Sequence, residues 1–271
     1  GKLTLTTEFG GWLDEYISRR QVFDLINYVD RVYLSYGATD IIHGIEAKKI
    51  KEIQQKAATA DLRLIPAKLK HLGTEKCWKI LKKMKDYLDS KVEIKTCTDV
   101  KQFLVENRRV TGVKTSKGDM YYADYVVAVP GRDGAEWFAN EALRLKLDMS
   151  INPVDIGVRV EVPSVVMEYL TDAVYESKLI YYSKSFDDKV RTFCMNPYGE
   201  VVMENNSGLI TVNGHSYAER RTENTNFALL VSKTFTEPFK EPISYGKNIA
   251  TLANMLGGGV LVQRLGDLLS G

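Results

Sequence analysis

Residues 123–134 read ADYVVAVPGRDG. The mostly apolar run at 125–129 goes straight into Pro130-Gly131, without the alternation that marks a half-wet strand. A strand apolar on both faces is stable only when both are covered, as in a parallel sheet between helical layers. Proline then ends the ladder, and glycine permits a close approach that a Cβ would block. This predicts an α/β layer whose strand 125–129 stops at a ligand-facing turn, with a helix over 135–147 behind it. The alternative is that Gly131 only turns the chain into that helix.

The apolar period elsewhere fills in the frame. Residues 2–7 alternate like a short strand, and 14–60 read as helical, with Phe23, Ile26, Val29 and Val32 on one stripe. Thr74 caps an amphipathic helix in which Cys77, Ile80, Leu81, Met84, Tyr87 and Leu88 share a face. Lys76, Lys79, Lys82, Lys83 and Lys85 cover the other face, with no aromatic residue read among them. From Val92 and Ile94 onward the period falls to two, giving a strand and then a meander over 100–106, 110–115 and 120–122.

Beyond Asn152-Pro153, strands are predicted over 155–162, 179–183, 190–195, 200–204, 209–212 and 226–235. Asn-Pro, Tyr-Gly, Asn-Ser-Gly and Asn-Gly turns join them into an antiparallel block. Pro238 and Pro242 end that block, and helices follow over 244–256 and 262–269.

Composition excludes several classes. Across 271 residues, 37 Lys and Arg against 35 Asp and Glu give a net charge of +2, which asks for no polyanionic partner. No apolar run approaches the roughly 18 residues of a membrane span. Three cysteines without a C-x-x-C fit a reducing cytoplasm and argue against a disulfide framework or a zinc site, so no metal is expected.

Several residues carry candidate chemistry. His215, in VNGHSY, is the best placed of the three histidines for general acid–base work; the bland reading is an exposed hairpin histidine. His71 reads as part of a helix entry, and His43 has no companions. Cys194 is read as a small buried hydrophobe and not as a reactive thiol. Asn196, Tyr198 and Gly199 either line a site or form a plain Pro-Tyr-Gly turn. Arg159 either holds an anionic oxygen or pairs with Glu161 on the same strand face. Arg132, Arg220 and Arg221 read as solvated or ion-paired, and the basic stretch 63–85 as a solvated helix face.

The stretches HLGTEKCWKILKKMKDYLDSKVEIKTCTDV, VTGVKTSKGDMYYADYVVAVPGRDGAEWF and NPVDIGVRVEVP resemble a family of bacterial uncharacterised FAD-dependent dehydrogenases. That family belongs to flavoproteins with a glutathione-reductase-like, FAD/NAD(P)-binding domain. RTFCMNPYGEVV and NGHSYAERRTENTNFALLVS look like its substrate-side β region, and the similarity spans essentially all 271 residues. The resemblance implies that Val100 lies near the adenine of FAD and that Pro130-Gly131 approaches the cofactor. Within such a fold, Arg159, Asn196, Tyr198, Gly199, Gly214 and Ser216 would face substrate or flavin, with His215 and Asn196 as catalytic candidates.

The fold implied is α/β plus β. Residues 1–150 and 243–271 would form a truncated three-layer FAD-binding domain with a helical insertion over about 10–70. Residues 151–242 would form the antiparallel substrate-side domain. No G-x-G-x-x-G occurs, so the phosphate-gripping segment is expected outside these residues, and the chain is expected to be a central portion free of FAD. NAD(P)H is a candidate reductant, the substrate is an unidentified small molecule, and a membrane partner is not expected. A second reading is a non-catalytic module binding a protein or nucleic acid through 63–85.

Overall fold

The computed structural model describes residues 1–206, 208–235 and 241–270; Pro238 lies outside the described residues. The helices are α1 (Arg19–Ser35), α2 (Ala47–Thr59), α3 (Thr74–Asp89), α4 (Ala135–Arg144), α5 (Ser164–Val174), α6 (Pro242–Gly257) and α7 (Leu265–Ser270). The strands before α4 are β1 (Lys2–Thr4), β2 (Arg63–Ile65), β3 (Leu69–His71), β4 (Val100–Glu106), β5 (Arg109–Thr115) and β6 (Met120–Tyr122). Those after it are β7 (Val154–Pro163), β8 (Lys178–Tyr182), β9 (Lys189–Asn196), β10 (Glu200–Asn206), β11 (Leu209–His215) and β12 (Asn224–Lys233). The chain divides into two compact units, 1–86 with 152–271, and 87–151.

The larger unit is built on a five-stranded antiparallel sheet ordered β2-β8-β9-β12-β7. The hairpin β10–β11 and the pair β1–β3 complete its β structure. Residues 63–65 and 69–71, which carry no clear period of their own, become strands because they find edges to pair with. The core sits where α2 meets α5 and the β2–β8 pair, with Ile53, Ala57, Leu64, Ala173 and Val174 buried together. The segment 164–174, to which the sequence reading assigns no element, forms helix α5 directly after β7. Helix α1 begins at Arg19 and not near Asp14, because Ser18 and Gln21 form a capping box: Ser18 Oγ accepts from Gln21 N at 3.3 Å while Gln21 Oε1 accepts from Ser18 N at 3.0 Å.

In the smaller unit β4-β5-β6 form the predicted meander, but two expected strands do not form. Residues 92–94 are irregular, and 125–129 have no strand partner among the described residues. Tyr125, Val127 and Val129 are 88%, 83% and 83% exposed, the reverse of the double burial that the apolar run predicts. The reason is physical: a strand is not a local structure, and apolar residues alone supply no ladder partner. Every strand pair described is antiparallel.

The outer edge of β4 is closed by side chains of α4. Phe103 N donates to Glu141 Oε2 at 2.8 Å, and Arg144 Nη2 donates to Phe103 O at 2.9 Å. Arg144 also grips Glu141 bidentately, with both bonds at 2.7 Å, and Trp137 Nε1 donates to Lys101 O at 2.9 Å. The ion pair therefore does for Phe103 what a neighbouring strand would do, and it blunts an edge that would otherwise recruit another chain. The hydrogen bonds from Arg144, helped by the Phe103 N–H and opposed by burial, hold the Glu141 carboxyl below the usual carboxylate range. A depressed carboxylate stabilises the fold above its unfolded pKa, and that contribution is lost as pH falls through the folded value. We expect Glu141→Gln to cost about 1–3 kcal/mol in urea unfolding at neutral pH. The gap from the parent should close in acid, and exchange of the Phe103 amide should quicken in the variant.

Candidate functional site

The site begins with an irregularity in the central sheet. Asn226 of β12 pairs with Asn196 of β9, yet Ala228 pairs with Phe193, so β9 carries one residue more than its partner. Cys194 accommodates that bulge with φ of 45°. A bulge re-aims the side chains next to it, and Asn196 and Asn226 are both fully buried and meet there. Lys2 secures the bulge from β1, donating to Met195 O at 2.5 Å and to Glu176 Oε2 at 2.7 Å.

Arg159 reaches this point from the edge strand β7. Its Nη1 donates to Asn226 Oδ1 at 2.6 Å and to Cys194 O at 3.3 Å, and its Nη2 lies 3.5 Å from Asn213 Oδ1. Of the two roles open in the sequence, pairing with Glu161 is not the one formed: the guanidinium is held by amide and carbonyl oxygens. Asn196 Nδ2 donates to Cys194 O at 2.8 Å and to Asn226 Oδ1 at 3.2 Å, and its Oδ1 accepts from Ser216 Oγ at 3.3 Å. Among the described residues, Asn226 Nδ2 is the group of this knot left buried without a partner.

Gly214 explains itself here. A Cβ on it would fall 2.1 Å from Asn226 Oδ1, 2.3 Å from Asn196 Nδ2 and 2.4 Å from Arg159 Nη1. The strand can cross the polar knot only as bare backbone. A Cβ on Gly199 would likewise meet His215 O at 2.2 Å.

Ser216, one residue past β11, links the knot to an aromatic stack. Its Oγ lies 2.9 Å from His71 Nε2 and accepts from Tyr175 O–H at 3.4 Å. Because Oγ donates to Asn196, full pairing is reached when His71 is neutral and carries its proton on Nε2. The rings of His71 and His43 lie 4.8 Å and 4.7 Å from that of Tyr175. Burial, then the charge of Lys2, lowers His71 to about 4. Burial also raises the Tyr175 phenol well above its ordinary value. Tyr175 closes α5 with φ of 53°, and Tyr198 has φ of 50°, so three strained residues, counting Cys194, gather around one knot.

A cavity of about 410 Å³ opens beside this stack, lined among others by His43, His71, Tyr175, Tyr198 and Arg221. The loop at its rim is fixed from α3: Glu75 Oε1 accepts from Ala218 N at 2.7 Å and Glu219 N at 3.1 Å. Burial alone would raise the Glu75 carboxyl, but its own backbone N–H together with those of Ala218 and Glu219 outweighs burial and holds it below the usual range.

The structure thus brings Arg159, Asn196, Gly199, Gly214 and Ser216 together. Tyr198 stands next to them, its hydroxyl donating to Glu168 Oε1 at 3.1 Å. His215 lies between two members of the knot on a strand, so its ring faces the other way, edge-on to Tyr217 at 6.5 Å. The histidine in the network is His71, and nothing local in LKHLG announces it. Val100, Pro130 and Gly131 belong to the smaller unit. There Val100 opens β4 opposite Thr115, and Gly131 has φ of 68° with nothing within 4 Å of a Cβ. What demands glycine at 131 in this structure is backbone handedness. On α3, Trp78 is 65% exposed and lies on the lysine side of the helix, where no aromatic residue was expected. Among the described residues no group of three or more His, Cys, Asp or Glu is placed to hold a metal, and no helix is long and apolar enough to cross a membrane.

These are the elements that a family comparison covers. Residues 153–271 match the model of a family described as FAD-dependent protein, C-terminal domain-like. The match takes in Arg159, Tyr175, Asn196, Gly214, Ser216 and Asn226, and stops short of half the chain. It supports an FAD-dependent family, with a flavoprotein-related, broadly oxidoreductive function. The antiparallel sheets are compatible with such a domain. No curated protein matches the chain.

Two outcomes follow from this geometry. Gly214→Ala should cost about 2–4 kcal/mol, because one methyl group must displace three polar partners. Gly266→Ala, where a Cβ meets nothing, should be near neutral in the same urea titration. A histidine whose folded pKa lies below its unfolded value of 6.5 gives stability that is full above 6.5 and is lost as pH falls toward about 4. His71→Gln should therefore flatten the acid limb of stability in that window, by at most about 1.4 kcal/mol per pH unit.

Proposed function

We propose that this chain is the central portion of an FAD-dependent oxidoreductase, acting as a dehydrogenase on a small molecule with NAD(P)H as a candidate reductant. The observation that carries the reading is the polar knot around Asn196, Asn226, Arg159 and Ser216, which falls inside the FAD-dependent family match. A flavin ring is flat, apolar on its faces and rimmed with hydrogen-bonding atoms. The aromatic stack and the amide, hydroxyl and guanidinium groups beside it suit such a ring. The unpartnered Asn226 Nδ2 marks the same knot as under-satisfied.

The phosphate end is not matched. No G-x-G-x-x-G occurs, so these residues offer no glycine-rich cradle for a pyrophosphate. The fit is that of one wall, and on this reading the grip on the phosphates is supplied by chain outside these residues. The exposed run 125–129 supports the same view, since it is apolar enough for burial and has no partner strand among the described residues. FAD supplies the two-electron chemistry when bound. The residues here would position the reacting groups and exclude water, and the neutral His71–Ser216 pair would hold a proton within reach.

The test uses the chain together with the protein encoded by the intact gene. FAD titrated into the longer protein should give bound-flavin absorbance bands, while this chain should leave the FAD spectrum unchanged. A longer protein indifferent to FAD would overturn the assignment, and tight FAD binding by this chain would overturn its one-walled form.

A further inference from the structure

The cavity beside Tyr175 has a chemistry of its own. At about 410 Å³ it falls within the range of small-molecule sites. Tyr175, Tyr198 and Tyr217 line it together with Ile41, Ile80 and Pro197, so aromatic and aliphatic surface makes up about half of its walls and polar groups the rest. Surfaces of this kind favour a flat ring, which stacks or meets them edge-on.

Its charge is uneven. Arg221 sits on the rim with its guanidinium 4.6 Å from the centre of the Tyr198 ring, and it makes no ion pair among the described residues. The other rim cation, Lys76, is already engaged by Glu219 at 3.2 Å, across an exposed pair. The remaining charged lining residue is Asp172. A guanidinium parked on an aromatic face keeps its N–H donors for an oxyanion, and its fork matches a carboxylate bidentately. Asp172 on the same rim disfavours a dianion, so a monoanionic carboxylate suits the site better than a phosphoryl group.

We propose that this cavity binds a flat aromatic carboxylate, its ring between the tyrosine walls and its carboxylate on Arg221. This names a substrate class for the oxidoreductase reading and rests on that reading only for the word substrate. Binding itself requires no flavin.

The probe is cinnamate, compared with its neutral isostere cinnamamide, titrated into this chain at low salt by calorimetry without FAD. Cinnamate should bind saturably and roughly tenfold more tightly than the amide. Arg221→Gln, at an exposed position, should erase that preference while leaving amide binding in place. Ala38→Trp, which fills the cavity, should abolish binding of both. Acid and amide binding alike, no binding of either, or a preference that survives Arg221→Gln would each overturn the inference. Phenyl phosphate binding more tightly than cinnamate would overturn the carboxylate assignment. Competitive displacement of cinnamate by FAD would give the cavity to the cofactor. None of these results depends on whether the longer protein binds FAD, so the two readings fail separately.

Discussion

The larger unit depends on how one cationic side chain is accommodated beside fully buried amides. Arg159 has no carboxylate partner among the described residues, and its charge is met by the oxygens of Asn226, Cys194 and Asn213. A charged group taken partly out of water requires such acceptors at good geometry, and they must be held still. The bulge in β9, the positive φ of Cys194 and the bare backbone at Gly214 are all consequences of making that room. The strain at Tyr175 and Tyr198 borders the same region. The knot thus fixes the positions of Ser216, His71 and the cavity beside them.

The smaller unit solves a related problem with different means. Its β4 edge would expose unpaired backbone groups, and the Glu141–Arg144 pair with Trp137 covers them from one helix. Side chains substitute for a strand there. Among the described residues nothing comparable reaches 125–129, and that run stays unpaired and wet although it is the most strand-like stretch of the sequence. Propensity is satisfied by pairing, and pairing is a property of the neighbours.

The legibility of the fold follows the same division. The helices at 74–89 and 135–144, the meander and most strands after 154 are readable because period, caps and turn residues act within a few positions. Strands β2 and β3 were not readable, since three residues carry no period and gain their identity from partners more than 60 residues away. The site was legible in part: Arg159, Asn196, Gly199, Gly214 and Ser216 stand out in the chain and do converge. His71 and Tyr175 did not stand out, because their significance lies in stacking on each other across about a hundred residues. His215 stood out by type and nearness to the glycine, while strand alternation turned its ring the other way.

What the sequence by itself determined is local. It set where most helices lie, where strands alternate, and that the chain turns at Pro130-Gly131. What only the tertiary structure decided is which polar groups share a site. The reason is that a hydrogen bond or a stacked ring acts over a few ångströms, whereas the pattern that specifies a helix or strand is blind to anything beyond its own turn. An arginine, two asparagines and a serine become one network only when four strands bring them within reach.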